Sequence, residues 1–244
     1  MLFSPKIMES KIYYSSFPKC LEKIAKHNQK IGTTKDLMEK RMEEGLKSRV
    51  CYSSFWLPEN YNIIDGKLFL SLQEYNPLIL YSKEALNNSL RNIFDPFILN
   101  ESIQLNGKSA SQIIPEIAEE DASKRLYERR VLLCEEPETP RFISSKSLGE
   151  NEEIIFLARG EKLAKEYGEF LFNCGIKQTA IYKPLQLINE NFTKGFILNG
   201  LVGGKINSSF KGNSSFAQIS DVFSELFFGV ERIPARASML GISE

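Results

Sequence analysis

The chain of 244 residues has a single histidine, His27. Histidine is the side chain whose ordinary pKa lies near neutrality, and most general-base, triad and zinc chemistries use one or more of them. Its scarcity sets binding ahead of catalysis and predicts no catalytic residue, no metal centre and no cofactor. Net charge is missing as well, because 31 basic and 31 acidic residues cancel. That removes the electrostatic footprint that supplies affinity for a phosphate backbone or an anionic membrane, so neither nucleic acid nor membrane is an expected partner. No run approaches the roughly 20 apolar residues of a membrane span. The opening MLFSPKIMESKIYY has no apolar core long enough for a signal peptide, and the expectation is a cytoplasmic protein. The four cysteines, Cys20, Cys51, Cys134 and Cys174, never form CxxC and suit reduced, small apolar fillers.

What is present is ordinary globular composition, 42% apolar and 25% charged, enough to bury a substantial core. The length predicts one α+β domain over residues 1–244 with two lobes, about 1–134 and 141–244, built as a mixed or antiparallel sheet with helices packed on one face. At the start, Pro18 opens a helix with Phe17, Cys20, Leu21 and Ile24 on one face, and Gly32 suits its end. A second helix begins at Thr33 or Thr34, where Thr33 with Asp36 resembles a capping box, turns Leu37, Met38 and Met42 inward and stops at Gly45. The two form an N-terminal antiparallel helical pair. Short apolar runs then predict strands at Val50–Tyr52, Phe55–Leu57 and Leu68–Leu72, divided by turns at Pro58-Glu59-Asn60 and Asp65-Gly66-Lys67. Ser82 caps a helix with Leu86, Leu90, Ile93 and Phe94, and a short strand follows at Phe97–Leu99.

Residues 116–141 mix charges of both signs, as a solvated helix with i,i+4 pairs such as Asp121 with Arg125 would, followed by a linker from Glu135 to Pro140. Beyond it, EEIIFLA predicts a strand, GEKLAKEYGEFLFNCG an amphipathic helix closed by Gly175, and IKQTAIYKPLQLI a second strand. On that helix Leu163, Tyr167, Phe170, Leu171 and Cys174 share a stripe. Pro184 pushes its strand toward a sheet edge, where a partner could dock. KGFILNGLVG predicts another strand, GGKINSSFKGNSS a polar loop, and Ile219, Val222, Phe223, Leu226 and Phe227 a final buried helix.

The succession of Pro140-Arg141-Phe142-Ile143-Ser144, a strand at Ile154–Ala158, a helix at Glu161–Asn173 with Gly175-Ile176, and a strand ending Pro184-Leu185-Gln186-Leu187 resembles bacterial toxin-immunity proteins, the broad group that includes the double-CXXCG family. The likeness covers about residues 140–200. The CXXCG pairs themselves are absent, so no zinc is implied. What the resemblance implies is a cytosolic antidote that binds its toxin without doing chemistry.

Sharper motifs fail on inspection. Gly200 to Lys205 ends in Gly-Lys like a phosphate loop, but Asn199 stands where the first Gly belongs and Ile206 where Ser or Thr belongs. Glu119-Glu120-Asp121 and Glu150 to Glu153 offer oxygens to a cation without the spacing of a known loop. The serines of Tyr52-Ser53-Ser54 have no evident base. The expectation is therefore a non-catalytic protein-binding protein. Its anionic contact candidates are Glu119, Glu120, Asp121, Glu135, Glu136 and Glu138, and its aromatic candidates are Trp56 and Tyr182. The competing readings are a histidine-independent enzyme working through carboxylates, a transferase or hydrolase, and a structural subunit docked by its tail, Ile233 to Ile242.

Overall fold

The computed structural model describes residues 9–15, 17–53, 55–64, 67–72, 104–105, 108–134, 141–181, 196–203, 206–207, 216–220 and 237–243. Its elements in the first half are β1 (Ser10–Ser15), α1 (Phe17–Lys26), β2 (Lys30–Ile31), α2 (Thr34–Glu44), α3 (Arg49–Tyr52), β3 (Phe55–Ile64), β4 (Lys67–Ser71), β5 (Gln104–Leu105), β6 (Lys108–Ser109), α4 (Ala110–Asp121) and β7 (Val131–Cys134). The second half adds β8 (Arg141–Ser144), α5 (Glu152–Ala158), α6 (Glu161–Asn173), β9 (Gln178–Ile181), β10 (Phe196–Gly203), β11 (Ile206–Asn207), β12 (Phe216–Ser220) and β13 (Ala237–Ile242). The architecture is α+β. Among the described residues, an antiparallel sheet runs in the order β10-β3-β4-β7, a second sheet in the order β11-β12-β9-β8 contains one parallel pair, and β13 lies between β1 and β2.

Strand β3 organises the packing, because successive side chains of a strand face opposite ways. Phe55, Leu57 and Tyr61 enter the main apolar cluster with Leu37 and Met38 of α2, Ile154 to Ala158 of α5, and Tyr167 and Leu171 of α6. Trp56 enters a separate cluster with Tyr13, Cys20, Leu21, Ile24, Ile31 and Met239. The neighbouring β4 repeats the division, with Leu68 and Leu70 in the main cluster and Phe69 on the other side against Ile114 of α4 and Val131. Both faces of the β3-β4 sheet are therefore dry. Each fully buried side chain of this size contributes about 1.5–3 kcal/mol.

Several expected elements are present. The capping box at the start of α2 forms, the Thr33 side chain accepting the Asp36 N–H while the Asp36 carboxylate accepts the Thr33 N–H at 2.8 Å. Strands β3 and β4 pair antiparallel with Ile64 opposite Lys67, and the expected turn at Asp65-Gly66 between them lies outside the described residues. Helix α6 ends as its Gly175 predicts. Gly175 sits at φ +85, its N–H reaches the Phe172 carbonyl, and the Ile176 N–H reaches the Leu171 carbonyl at 2.9 Å.

Other expectations are corrected. EEIIFLA is helix α5, not a strand. Asn151 caps it by accepting the Ile154 N–H at 3.0 Å, and residues 154–158 are all buried, so the run carries no face to betray its period. Val50–Tyr52 belongs to the single helical turn α3. Pro58-Glu59-Asn60 is no turn but the middle of β3, at a bulge. Between the pairs Asn60–Gly200 and Trp56–Val202, β3 has three residues and β10 one, and β4 pairs only from Asn60 onward, so the missing N–H of Pro58 breaks no ladder bond. Helices α1 and α2 do not pack as a pair, since their buried residues belong to different clusters. Strand β9 is not an edge, having β12 on one side and β8 on the other. The polar loop after β10 contains β11, and Ile219 lies in β12 rather than a helix. The tail is used internally, with β13 paired to both β1 and β2. The helix at Leu86–Phe94, the strand at Phe97–Leu99, Pro184, and Val222 to Phe227 lie outside the described residues.

Arg41 shows how α2 is fixed. It is 2% exposed, and its guanidinium donates to the Val50 carbonyl at 3.2 Å, the Tyr167 hydroxyl at 3.3 Å and the Ser53 carbonyl at 3.4 Å, joining α2 to α3, the entry of β3 and α6. Burial pushes the Tyr167 hydroxyl pKa up despite that nearby cation. Helix α6 meets the 3₁₀ segment Ser145–Glu150 at equally close range. A Cβ on Gly168 would lie 2.2 Å from the Ser145 carbonyl oxygen, which is backbone and cannot swing aside. Gly168→Ala is expected to lower stability by about 1–3 kcal/mol, overpacking outweighing the gain in helix propensity, as read from the urea midpoint at unchanged slope.

Candidate functional site

The anionic candidates fall at the end of α4. Glu119 and Glu120 are exposed there, whereas Asp121 is 1% exposed. Helix α4 has no basic residue in its last turn, so these carboxylates sit at the negative end of the helix dipole, where each acid costs about 0.3–1 kcal/mol. The expected solvated helix stops at Asp121, and the partner of Asp121 is Lys124, at 2.5 Å, rather than Arg125. Its other oxygen accepts the Arg130 N–H at 2.7 Å. Burial alone would push the Asp121 carboxyl up, but the Lys124 ammonium and the Arg130 N–H outweigh it and hold the pKa below its ordinary value.

The turn that follows is tied down by cations used as carbonyl clamps. Arg129 donates to the carbonyls of Lys124 at 2.9 Å and Ala122 at 2.8 Å. Arg159, in the left-handed conformation at the end of α5, donates to the Arg129 carbonyl at 2.7 Å and stacks over Phe156. These contacts fix residues 121–130 between α4 and β7. They leave Glu119, Glu120, Arg125, Glu128 and Arg130 exposed on the outside, followed by Leu133 at 53%. The result is a rigid surface of mixed charge with one apolar side chain.

Trp56 is not part of it. At 5% exposure it belongs to the cluster on the far face of β3, and is thus a core residue rather than a presented anchor. Glu135, Glu136, Glu138 and Tyr182 lie outside the described residues. Sequence reasoning missed Lys124, Arg129 and Arg159 as shapers of the surface. A signal existed in Ser123, a weak helix former shortly after three acids, but the clamping arginines look like any solvated cations in sequence. His27 is exposed, its Nδ1 2.7 Å from the Lys23 carbonyl. Among the described residues no three His, Cys, Asp or Glu side chains converge as a metal site, and no helix is long and apolar enough to cross a membrane.

No protein-family model matches the chain, and no curated protein matches it. A solved structure described as "Accommodation of massive sequence variation in Nanoarchaeota by the C-type lectin fold" superposes with a TM-score of 0.55, covering 98% of this chain and 100% of its own, at 12% identity. The likeness is one of fold.

The clamp makes a direct prediction. Asp121→Ala removes the carboxylate that accepts the part-buried Arg130 N–H and pairs with Lys124, and is expected to cost about 1–3 kcal/mol. Because the folded-state pKa lies below the unfolded value of about 3.9, that stabilisation is present above pH 4 and is lost as pH falls through the folded value. Chemical denaturation at pH 7 and pH 3 should therefore show the gap between wild type and variant shrinking at the lower pH.

Proposed function

We propose that this chain is a non-catalytic protein-binding module whose contact surface includes the clamped turn after α4. The observation that carries the reading is the set of side-chain hydrogen bonds that ties that turn down. Four side-chain donors and one buried carboxylate hold a backbone that would otherwise have to be ordered on binding, and a surface ordered in advance keeps more of its contact energy as affinity. Exposed charges of both signs beside Leu133 suit a protein surface better than a uniformly charged polymer. The acids at the end of α4 offend the helix dipole, and locally unfavourable choices of this kind concentrate where a surface is used. The fold neighbour, described as accommodating massive sequence variation, supports the idea of a scaffold whose surface is free to specialise.

A carboxylate enzyme is disfavoured on access. Among the described residues the carboxyl with a strongly raised pKa is Glu59, and at 1% exposure it cannot touch a substrate. The antidote role is the narrower form of the proposal. It leans on a strand, helix, strand succession, and the first member of that succession is helix α5, so the wider class of binding protein is the better-supported level.

A tagged chain recovered from its native cells and washed at high salt should bring down one stoichiometric protein, because screening removes loose charge contacts and spares a shaped interface. Reversal of charge in Glu119→Arg with Glu120→Arg should slow association at least about tenfold with little change in the dissociation rate. A partner that poisons cells alone and is neutralised by co-expression establishes the antidote form. Recovery of the chain alone, or with only a small molecule, overturns the proposal.

A further inference from the structure

Glu59 is the buried charge-bearing group whose position the packing does not explain. Alternation along β3 sets it on the face shared by Leu57 and Tyr61, at 1% exposure, against the first turn of α2. One carboxyl oxygen, Oε1, accepts the Thr34 N–H at 2.9 Å, while Oε2 is buried with no hydrogen-bond partner. Beside it stands a second carboxylate, Asp36, 7% exposed and already committed to capping Thr33, whose N–H and Oγ1 both lie 2.8 Å from its Oδ2. Two carboxyl groups thus converge on one helix N-terminus inside the core, and only one of them is fully satisfied as an anion.

We propose that Glu59 is a proton-operated latch between β3 and the N-terminus of α2, closed while its carboxyl is neutral and loosened when it ionises.

The surroundings hold little that would stabilise the ionised form. Strands β10 and β13, packed against β3, carry no charged residue, and the sole charge of β4, Lys67, lies opposite Ile64 at the far end of the pair. On α2, Lys35 is paired with Glu39, Lys40 with Glu43 and Glu44, and the Arg41 donors are spent on Val50, Ser53 and Tyr167. Glu153 of α5 accepts the Tyr61 hydroxyl at 3.0 Å, two residues along β3. An ionised Glu59 retains the Thr34 N–H, but gains a charge in a dry site next to the Asp36 anion. Burial first, and the Asp36 charge with it, raise the Glu59 pKa from 4.5 to about 7 against the opposing pull of the Thr34 N–H, the backbone N–H of Glu59 itself and the Thr34 hydroxyl. A folded-state pKa above the unfolded one means that the contribution is fully present below pH 4.5 and is lost as pH rises through 7. The simplest relief is for the first turn of α2 to swing away from β3 and admit water, since that turn is held to the strand by the Thr34 hydrogen bond.

The test is hydrogen exchange read by peptide mass spectrometry on the full chain at pH 6 and pH 8.5, corrected for intrinsic exchange, together with a carbon NMR titration of the Glu59 carboxyl. Protection of residues 34–40 in α2 should fall about tenfold relative to residues 164–171 of α6 between the two pH values, and Glu59→Gln should abolish that difference. A Glu59 carboxyl that titrates with ordinary carboxylates, or a Glu59→Gln variant that keeps the wild-type pH dependence, overturns the proposal. Should the variant fail to fold, the wild-type titration and exchange profile decide the matter alone.

Discussion

The double-sided burial of β3 is the constraint on which the rest depends. A strand with one wet face can be held by a single layer of helices, but β3 places Phe55, Leu57 and Tyr61 in one cluster and Trp56 in another, so layers must close on it from both sides. On one side stand α2, α5 and α6, and on the other the cluster of α1 with its short strands. The same strand carries Pro58 and Glu59, which an interior strand tolerates badly. The bulge against β10 frees Pro58 from the ladder, and strand alternation faces Glu59 toward a helix N-terminus that can give it one hydrogen bond.

Several of the charged side chains in this protein are used against backbone. Arg41, Arg129 and Arg159 all donate to main-chain carbonyls, at the α2–α3 corner, in the turn after α4 and at the end of α5. Planar guanidinium groups suit such work because their donors are held in a fixed fork. Asp121 does the converse, accepting a backbone N–H from within the same turn. A neutral overall balance of acids and bases therefore conceals two populations, one spent on shaping loops and one left outside. The second is the population available to a partner.

How much could be read from sequence follows from how local each signal is. The capping box at Thr33 and Asp36 and the Gly175 terminus of α6 are settled within a few residues, and both are present. Helix α5 was hidden because it is buried all round, and a wholly apolar run carries no period to tell helix from strand. The middle of β3 was hidden because Pro58 and Asn60 are turn residues everywhere except at a bulge, and a bulge depends on a strand more than a hundred residues away in the chain. The candidate surface was half legible. Glu119 and Glu120 are where the pattern put them, but the burial of Asp121 and Trp56 is decided by tertiary neighbours that no spacing reveals.

The pairing of β1 with β13 has a mechanical consequence. Ser10 lies opposite Ile242 and Ser15 opposite Ala237, so the chain enters one strand and leaves the other at the same end of an antiparallel ladder. Tension applied between those two points loads the ladder bonds one at a time, as in opening a zipper, instead of all together in shear. The protein should yield to pulling at a low force, beginning at Ser10 and Ile242, while the β3 core stays intact behind the opening seam.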